Sequence, residues 1–250
     1  MRKLFFIVVL LGLFILTACN SSSGNPNLAI GKTTSFSTEK QCPDAEIEWI
    51  DMVMIQGIKY EHHYQDPDVV NEPITIEKGK EIGRVTYQMA GNACVDHKEK
   101  NGDATFLEVG TTIYEVLGYP TNFLITADDK VYIAEYNSEA KTAQDFFPLN
   151  GLVKNIYFES TEDGSRIHKF SQTSLEHFLA VWPELEVKKP QLLLDEGNLE
   201  GERVFLEVEL NNGEAFRMLY WADTNTFHNG VVGNVAIQKI IEFELSELNN

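Results

Sequence analysis

Glu61-His62-His63-Tyr64-Gln65-Asp66, with Asp68 just beyond, is the densest run of metal-ligating side chains in the 250 residues. Imidazole and carboxylate together suit a divalent cation, which makes His62, His63 and Asp66 the candidate metal ligands. In an extended segment successive side chains point to opposite faces, so His62 and His63 reach one ion only if the chain turns between them. A solvated polar loop is the alternative. The other histidines, His97, His168, His177 and His228, are scattered, and His177 reads as a surface position. Asp223-Thr224-Asn225-Thr226-Phe227-His228 sets oxygen ligands at alternate positions, as a calcium loop begins, but the turn Gly and the closing Glu are missing at their offsets. Nucleophile-elbow, phosphate-loop and His-Glu-x-x-His motifs are absent, so no catalytic residue and no cofactor is assigned. Trp49, Trp182, Trp221 and Tyr119 are candidates for an aromatic platform. Trp221 closes a strand beside a polar loop and is the candidate binding rim, whereas Trp182 lies on an apolar helical face and reads as core.

Two short segments give the context. Arg2 and Lys3 precede the apolar run Leu4 to Leu16, broken only by Gly12 and followed by Thr17-Ala18-Cys19. About 20 apolar residues are needed to cross a bilayer, so the run reads as a signal peptide over 1–18 rather than a permanent span. Leu16-Thr17-Ala18-Cys19 resembles the bacterial lipobox, which implies acylation of Cys19 and cleavage before it. Such an anchor fixes the expected location as the outer, extracytoplasmic face of the cell membrane, and the membrane itself is the first partner. Residues 20–41 are rich in Ser, Thr, Asn and Gly and read as a flexible linker whose first twenty residues reach about 25 Å. In that exported setting Cys42 and Cys94 are the pair available for a disulfide, with two free thiols as the alternative.

Elements to position these residues come mostly from period-two patterning. Ile47–Ile55 followed by Ile58–Tyr60, then Ile74–Glu77, Glu81–Tyr87, Ala104–Val109, Thr112–Leu117, Phe123–Thr126 and Lys130–Tyr136 read as strands. Asp128-Asp129 supplies a hairpin turn. Lys154–Glu159 and Arg166–Phe170 flank an Asp163-Gly164 turn, and Val204–Leu210 and Phe216–Trp221 flank Asn211-Asn212-Gly213. Thr173 with Glu176 forms a capping box that opens one short helix over 174–182, with Leu175, Phe178, Leu179 and Trp182 on one face. Pro190 to Gly201 reads as a connection containing one turn at Leu192-Leu193-Leu194. The last segment fits helix or strand, and its β-branched residues favour strand. The expected fold is α+β, predominantly antiparallel β: two packed β-rich lobes over 42–148 and 151–250, or one continuous domain.

Gly79-Lys80-Glu81-Ile82-Gly83-Arg84-Val85, the stretch Gly102 to Tyr114, and Gly118-Tyr119 form a pattern similar to that of uncharacterised lipoproteins of Bacillus-type Gram-positive bacteria. The resemblance covers a small part of the chain and carries lineage and location, with no catalytic residue. Within it, Val109-Gly110-Thr111-Thr112 reads as a corner at which Gly110 takes a positive φ, with Tyr114 on the next strand. A formal charge of −18, from 20 basic and 38 acidic residues, excludes phosphate-backbone binding and hence nucleic acid. It favours basic partners instead. The expectation is a non-catalytic binding module for an envelope protein or polymer, with a small-ligand or metal-binding protein and an envelope enzyme of dispersed residues as the alternatives.

Overall fold

Alternating apolar and polar residues build two sheets in the computed structural model, which describes residues 48–63 and 74–248. The first sheet holds β1 (Met52–Ile55), β2 (Ile58–Glu61), β3 (Lys78–Arg84), β4 (Tyr87–Gln88), β5 (Asp103–Ala104), β6 (Thr112–Val116), β7 (Leu124–Ala127) and β8 (Lys130–Asn137). Its order is β3-β6-β7-β8-β2-β1-β5-β4, antiparallel except for the β4–β5 pair. The second sheet holds β9 (Val153–Glu159), β10 (Arg166–Lys169), β11 (Glu186–Val187), β12 (Arg203–Leu210), β13 (Ala215–Trp221), β14 (Thr226–Phe227) and β15 (Val231–Val232). Its order is β10-β9-β12-β13-β14-β15-β11. Helices α1 (Ala143–Phe146), α2 (Gln172–Val181), α3 (Pro190–Asp195) and α4 (Val235–Glu247) accompany them, with a 3₁₀ turn at Trp182–Glu184 after α2. This is the α+β, β-rich arrangement expected from the sequence, with the sheets changing over across residues 138–152.

Turn chemistry lands where the sequence places it. Asp128 and Asp129 take φ of 50° and 60°, and Gln56 and Gly57 take 52° and 79°, so both hairpins close with two residues in the left-handed region. Gly110 has a φ of 96°, and its N–H donates to Val85 O at 2.8 Å, forming the expected corner.

Several local readings need correction. The short helix is capped by Ser171, whose Oγ accepts from Ser174 N at 3.2 Å, rather than by Thr173. Glu176 pairs with Gln172 instead. The final segment is a helix: Asn234 accepts from the N–H groups of Ala236 and Ile237, and Ile237, Ile241 and Glu244 form its buried face. An N-cap asparagine and an apolar stripe outweigh the β-branched content. Ile74–Glu77 is not a strand; the Thr75 N–H reaches across to Asn212 O at 2.8 Å. The Ile47–Ile55 strand is described only from Met52 onward as strand, and Ala104–Val109 shortens to Asp103–Ala104 because the chain turns away through Phe106 toward Gly110. Within Pro190 to Gly201 the expected turn is α3, which buries Leu193 and leaves Leu192 and Leu194 exposed.

One hydrophobic core runs through both sheets. Phe123 from the first sheet, Phe147 from the connecting segment and Phe216 from the second meet with ring centroids 5.2 to 5.8 Å apart. Pairs of this kind add about 0.5–1.5 kcal/mol each beyond area burial. Trp182, fully buried, donates Nε1–H to Phe147 O at 2.8 Å and stacks on Phe178, which ties α2 to the same joint. Asn212 N–H donates to the Tyr119 hydroxyl at 3.0 Å, closing the two sheets on the other side. The sheets are therefore held in a fixed relation, and residues from one can build a site with residues from the other.

Candidate binding groove

Lys59 and Glu61 sit two apart on β2 and so share a face, while Tyr60 points inward and donates its hydroxyl to Thr121 O at 2.6 Å. Lys59 pairs with Glu61 at 3.0 Å and lies 4.0 Å from Glu99. Next to β2, the β8 ladder slips: Lys59 faces Tyr136, but Tyr60 faces Ala134. Glu135 is the extra residue of that bulge. Bulges re-aim side chains, and this one turns the Glu135 carboxylate toward the second sheet.

The residue it meets is His228, just past β14. The Leu219 N–H donates to His228 Nδ1 at 3.1 Å, and the His228 N–H donates back to Leu219 O at 2.9 Å. A backbone N–H can only donate, so Nδ1 holds a lone pair and the proton sits on Nε2, which donates to Glu135 Oε1 at 2.9 Å. Burial lowers the pKa of His228, but the hydrogen bond and charge of Glu135 prevail and raise it. A second proton would land on Nδ1 and break the Leu219 contact. With both nitrogens engaged, His228 orients Glu135 and is not placed to take a proton from a substrate.

Charges around the pair are tightly coupled. Burial and the neighbouring Glu135 charge push Glu61 up, against the pull of Lys59. Burial works to lower Lys59, yet Glu61, Glu99 and Glu135 together carry it above its ordinary value. His63 lies with its ring edge-on to Phe216, centroids 6.2 Å apart, and burial pulls its pKa down to about 4.

A groove of 470 Å³ opens beside this cluster. Lys59, Glu135 and Tyr136 form one wall, and His228, Asn229, Pro190 and Gln191 form the other. Asn229 is 3% exposed; its Oδ1 accepts from Val231 N at 3.4 Å, which fixes the amide orientation, and its Nδ2 has no hydrogen-bond partner. An unmet buried donor costs about 1–3 kcal/mol. Gly230 holds the loop in place. Its φ is 98°, Lys188 N–H donates to its carbonyl at 2.9 Å, and a Cβ there would stand 2.2 Å from Lys188 O. That contact sets the start of α3, and with it Pro190 and Gln191, against the groove.

The residues singled out from sequence fare differently. His62 donates Nδ1–H to Val131 O at 2.8 Å on β8, whereas His63 turns toward Phe216, so the two imidazoles part as an extended chain requires. Asp66 lies outside the described residues, and among those described no three His, Cys, Asp or Glu side chains gather to hold a metal ion. Cys94 is disulfide-bonded; Cys19 and Cys42, the signal segment 1–18 and the linker lie outside the described residues. Half-buried Trp221 ends β13 opposite Thr226 and does not border the groove. In the calcium-like segment Asp223 accepts from Glu202 N at 2.8 Å and Asn225 binds the Tyr220 hydroxyl and Asn234 O, so these side chains build the turn. Sequence reading missed the Glu135–His228 pair, whose members are 93 residues apart. The alternation of Lys59 and Glu61 was the only local signal for this wall. Comparison with protein-family models, with curated proteins and with solved structures found no match to this chain.

Proposed function

We propose that this protein is an exported lipoprotein, anchored at the outer face of the cell membrane through Cys19, whose folded part is a non-catalytic binding module with the inter-sheet groove as its binding site. The lipobox-like Leu16-Thr17-Ala18-Cys19 and the likeness to Bacillus-type lipoproteins support the anchor. One observation carries the binding assignment: a groove lined from two rigidly joined sheets brings the Lys59 ammonium, the Glu135 carboxylate and the His228 imidazole to its walls. Lys59 is held as an ammonium by its pairing with Glu61, and both nitrogens of His228 are engaged, so binding is favoured over nucleophilic catalysis. The disulfide at Cys94 suits an oxidising compartment, and we take Cys42 as its partner.

Fractionation of cells carrying wild type or Cys19→Ser tests the anchor: wild type should pellet with membranes and the variant should not, and equal pelleting would contradict it. For the groove, a thermal-shift screen of the full chain in detergent would use sugars, muropeptides, acidic and basic peptides and divalent metals. A ligand at a hundredfold its Kd adds about 2.7 kcal/mol to the folded state. A shift lost in Glu135→Gln supports the assignment, and shifts indifferent to that change sink it.

A further inference from the structure

We propose that the β4–β5 edge of the first sheet rests on the membrane, with Ile50, Val95, Phe106 and Val109 touching lipid at the boundary between headgroups and acyl chains. This rests on the lipid-anchor reading and names the surface that the anchor turns toward the bilayer.

Backbone pairing brings the four side chains to one edge. Thr105 Oγ1 donates to Ile50 O at 2.7 Å, which sets Ile50 beside the end of β5. Ala90 N–H donates to Thr105 O at 3.1 Å and Ala93 N–H to Met89 O at 2.8 Å, so the loop that carries Val95 leaves from the same end. Beyond β5 the chain folds back along β4, the outermost strand: Gln88 Nε2 donates to Phe106 O at 2.8 Å, and Gly110 N–H to Val85 O at 2.8 Å. The four are 45% to 63% exposed, and they make up four of the eleven exposed large apolar side chains among the described residues. Gathered on one edge, they form the kind of apolar patch that marks an interaction surface.

The occupant follows from where the chain enters. The described residues begin at Glu48, two positions before Ile50. Cys94, next to Val95, is disulfide-bonded, with Cys42 taken as its partner. Both covalent links deliver the N-terminal chain to this edge. Residues 20–41 reach about 25 Å, so an acylated Cys19 holds this edge nearer to lipid than the rest of the fold. A flexible tether of that length gives an effective concentration on the order of millimolar, at which a contact too weak to recruit a free protein is still made. Charge agrees. Arg84, Lys98 and Lys100 against Asp96, Glu99, Asp103 and Glu108 leave 84–110 at −1, Lys130 pairs with Asp51 at 2.7 Å, and Glu48 brings the edge to −2 of the chain's −18. Elsewhere, Phe243 stands between Glu242 and Glu244, and Leu194 precedes Asp195 and Glu196, so anionic headgroups hold those exposed apolar side chains off.

The test uses the full lipidated chain on vesicles of phosphatidylethanolamine and phosphatidylglycerol in equal amounts, with brominated acyl chains as the quencher of tryptophan fluorescence. After subtraction of the wild-type signal, Phe106→Trp should be quenched at least twofold more than Phe243→Trp. Adding Val109→Glu to Phe106→Trp should at least halve that quenching without lowering the melting temperature, because Val109 is exposed. Equal quenching at 106 and 243, or quenching at 106 indifferent to Val109→Glu, would overturn the proposal. Chain that does not sediment with the vesicles would remove the anchor and this contact together. Chain that sediments with residue 106 unquenched would remove the contact alone, and photo-crosslinks from that position to a second copy or another protein would then give the edge to that partner.

Discussion

His63 gives the sharpest physical test of how the two sheets meet. Its ring lies against Phe216 of β13; the charged or titratable groups that act on it are Glu135 on β8, His228 after β14, His62 on its own segment and, from the other face of β13, Arg217. Burial pulls the folded pKa to about 4, with His228, His62 and Arg217 adding to the fall and Glu135 opposing it. The unfolded value is the ordinary 6.5. A histidine with a depressed folded pKa binds fewer protons in the native state, so its stability is fully present above pH 6.5. That stability is lost as the pH falls toward 4, where loss is complete. Between pH 7.5 and pH 4.5 the linkage amounts to about 2.5 kcal/mol, reduced to about 2 kcal/mol for solvent at the half-buried ring. His63→Gln cannot titrate, so it should lack this part of the acid sensitivity. Urea unfolding of both chains at the two pH values isolates the effect as a double difference, in which the pH-independent cost of the substitution cancels. Wild type should lose about 2 kcal/mol more than the variant. Equal losses, within about 0.5 kcal/mol, would refute the reasoning and with it the seating of His63 at the joint.

Three further outcomes follow from the same structure. Gly230→Ala forces a side chain into a φ of 98° and against Lys188 O, so melting should show a loss of about 2 kcal/mol or more, together with weakened ligand binding as the α3 wall shifts. Asn234→Ala removes the cap of α4 and should lower the urea midpoint by about 1 kcal/mol of stability, with Asn234→Asp largely restoring it. Reduction of the Cys94 disulfide should cost about 2–4 kcal/mol; intact mass after alkylation without reductant should show no modified Cys94, and a modified one would contradict the bridge.

Much of the fold is legible in local chemistry. Strands β6 to β9 and the β12–β13 hairpin follow alternation and turn residues closely, and Asp128-Asp129 and Gly110 take the backbone conformations their types allow. Where reading failed, a cap or a distant partner decided. α4 is set by Asn234 and by Glu244, a buried carboxylate that accepts from Ser171 Oγ at 2.8 Å and pairs with His168 at 2.5 Å, and neither contact is visible in a β-branched run. Ile74–Glu77 alternates like a strand yet divides its hydrogen bonds, Thr75 N–H going to Asn212 O by the second sheet and Glu77 O accepting from Leu117 N in the first. The groove was legible only in fragments: Lys59 and Glu61 share a face by spacing, and His63 and His228 stand out as imidazoles. Glu135 gains its role from a register slip between β2 and β8 and from its contact with His228 of the second sheet, neither of which a local pattern shows.

The central claim is that the groove between the sheets is the binding site, and the exposed side-chain amide of Gln191 on its wall reports on it most directly. In a ¹H–¹⁵N correlation spectrum of the full chain titrated with a ligand drawn from the thermal-shift screen, the Gln191 NH₂ pair and the backbone amides of Tyr136 and Asn229 should shift together and saturably. An unmoved Gln191 pair, with saturable shifts confined to residues on the outer face of the second sheet such as Arg217 and Arg166, would contradict the account.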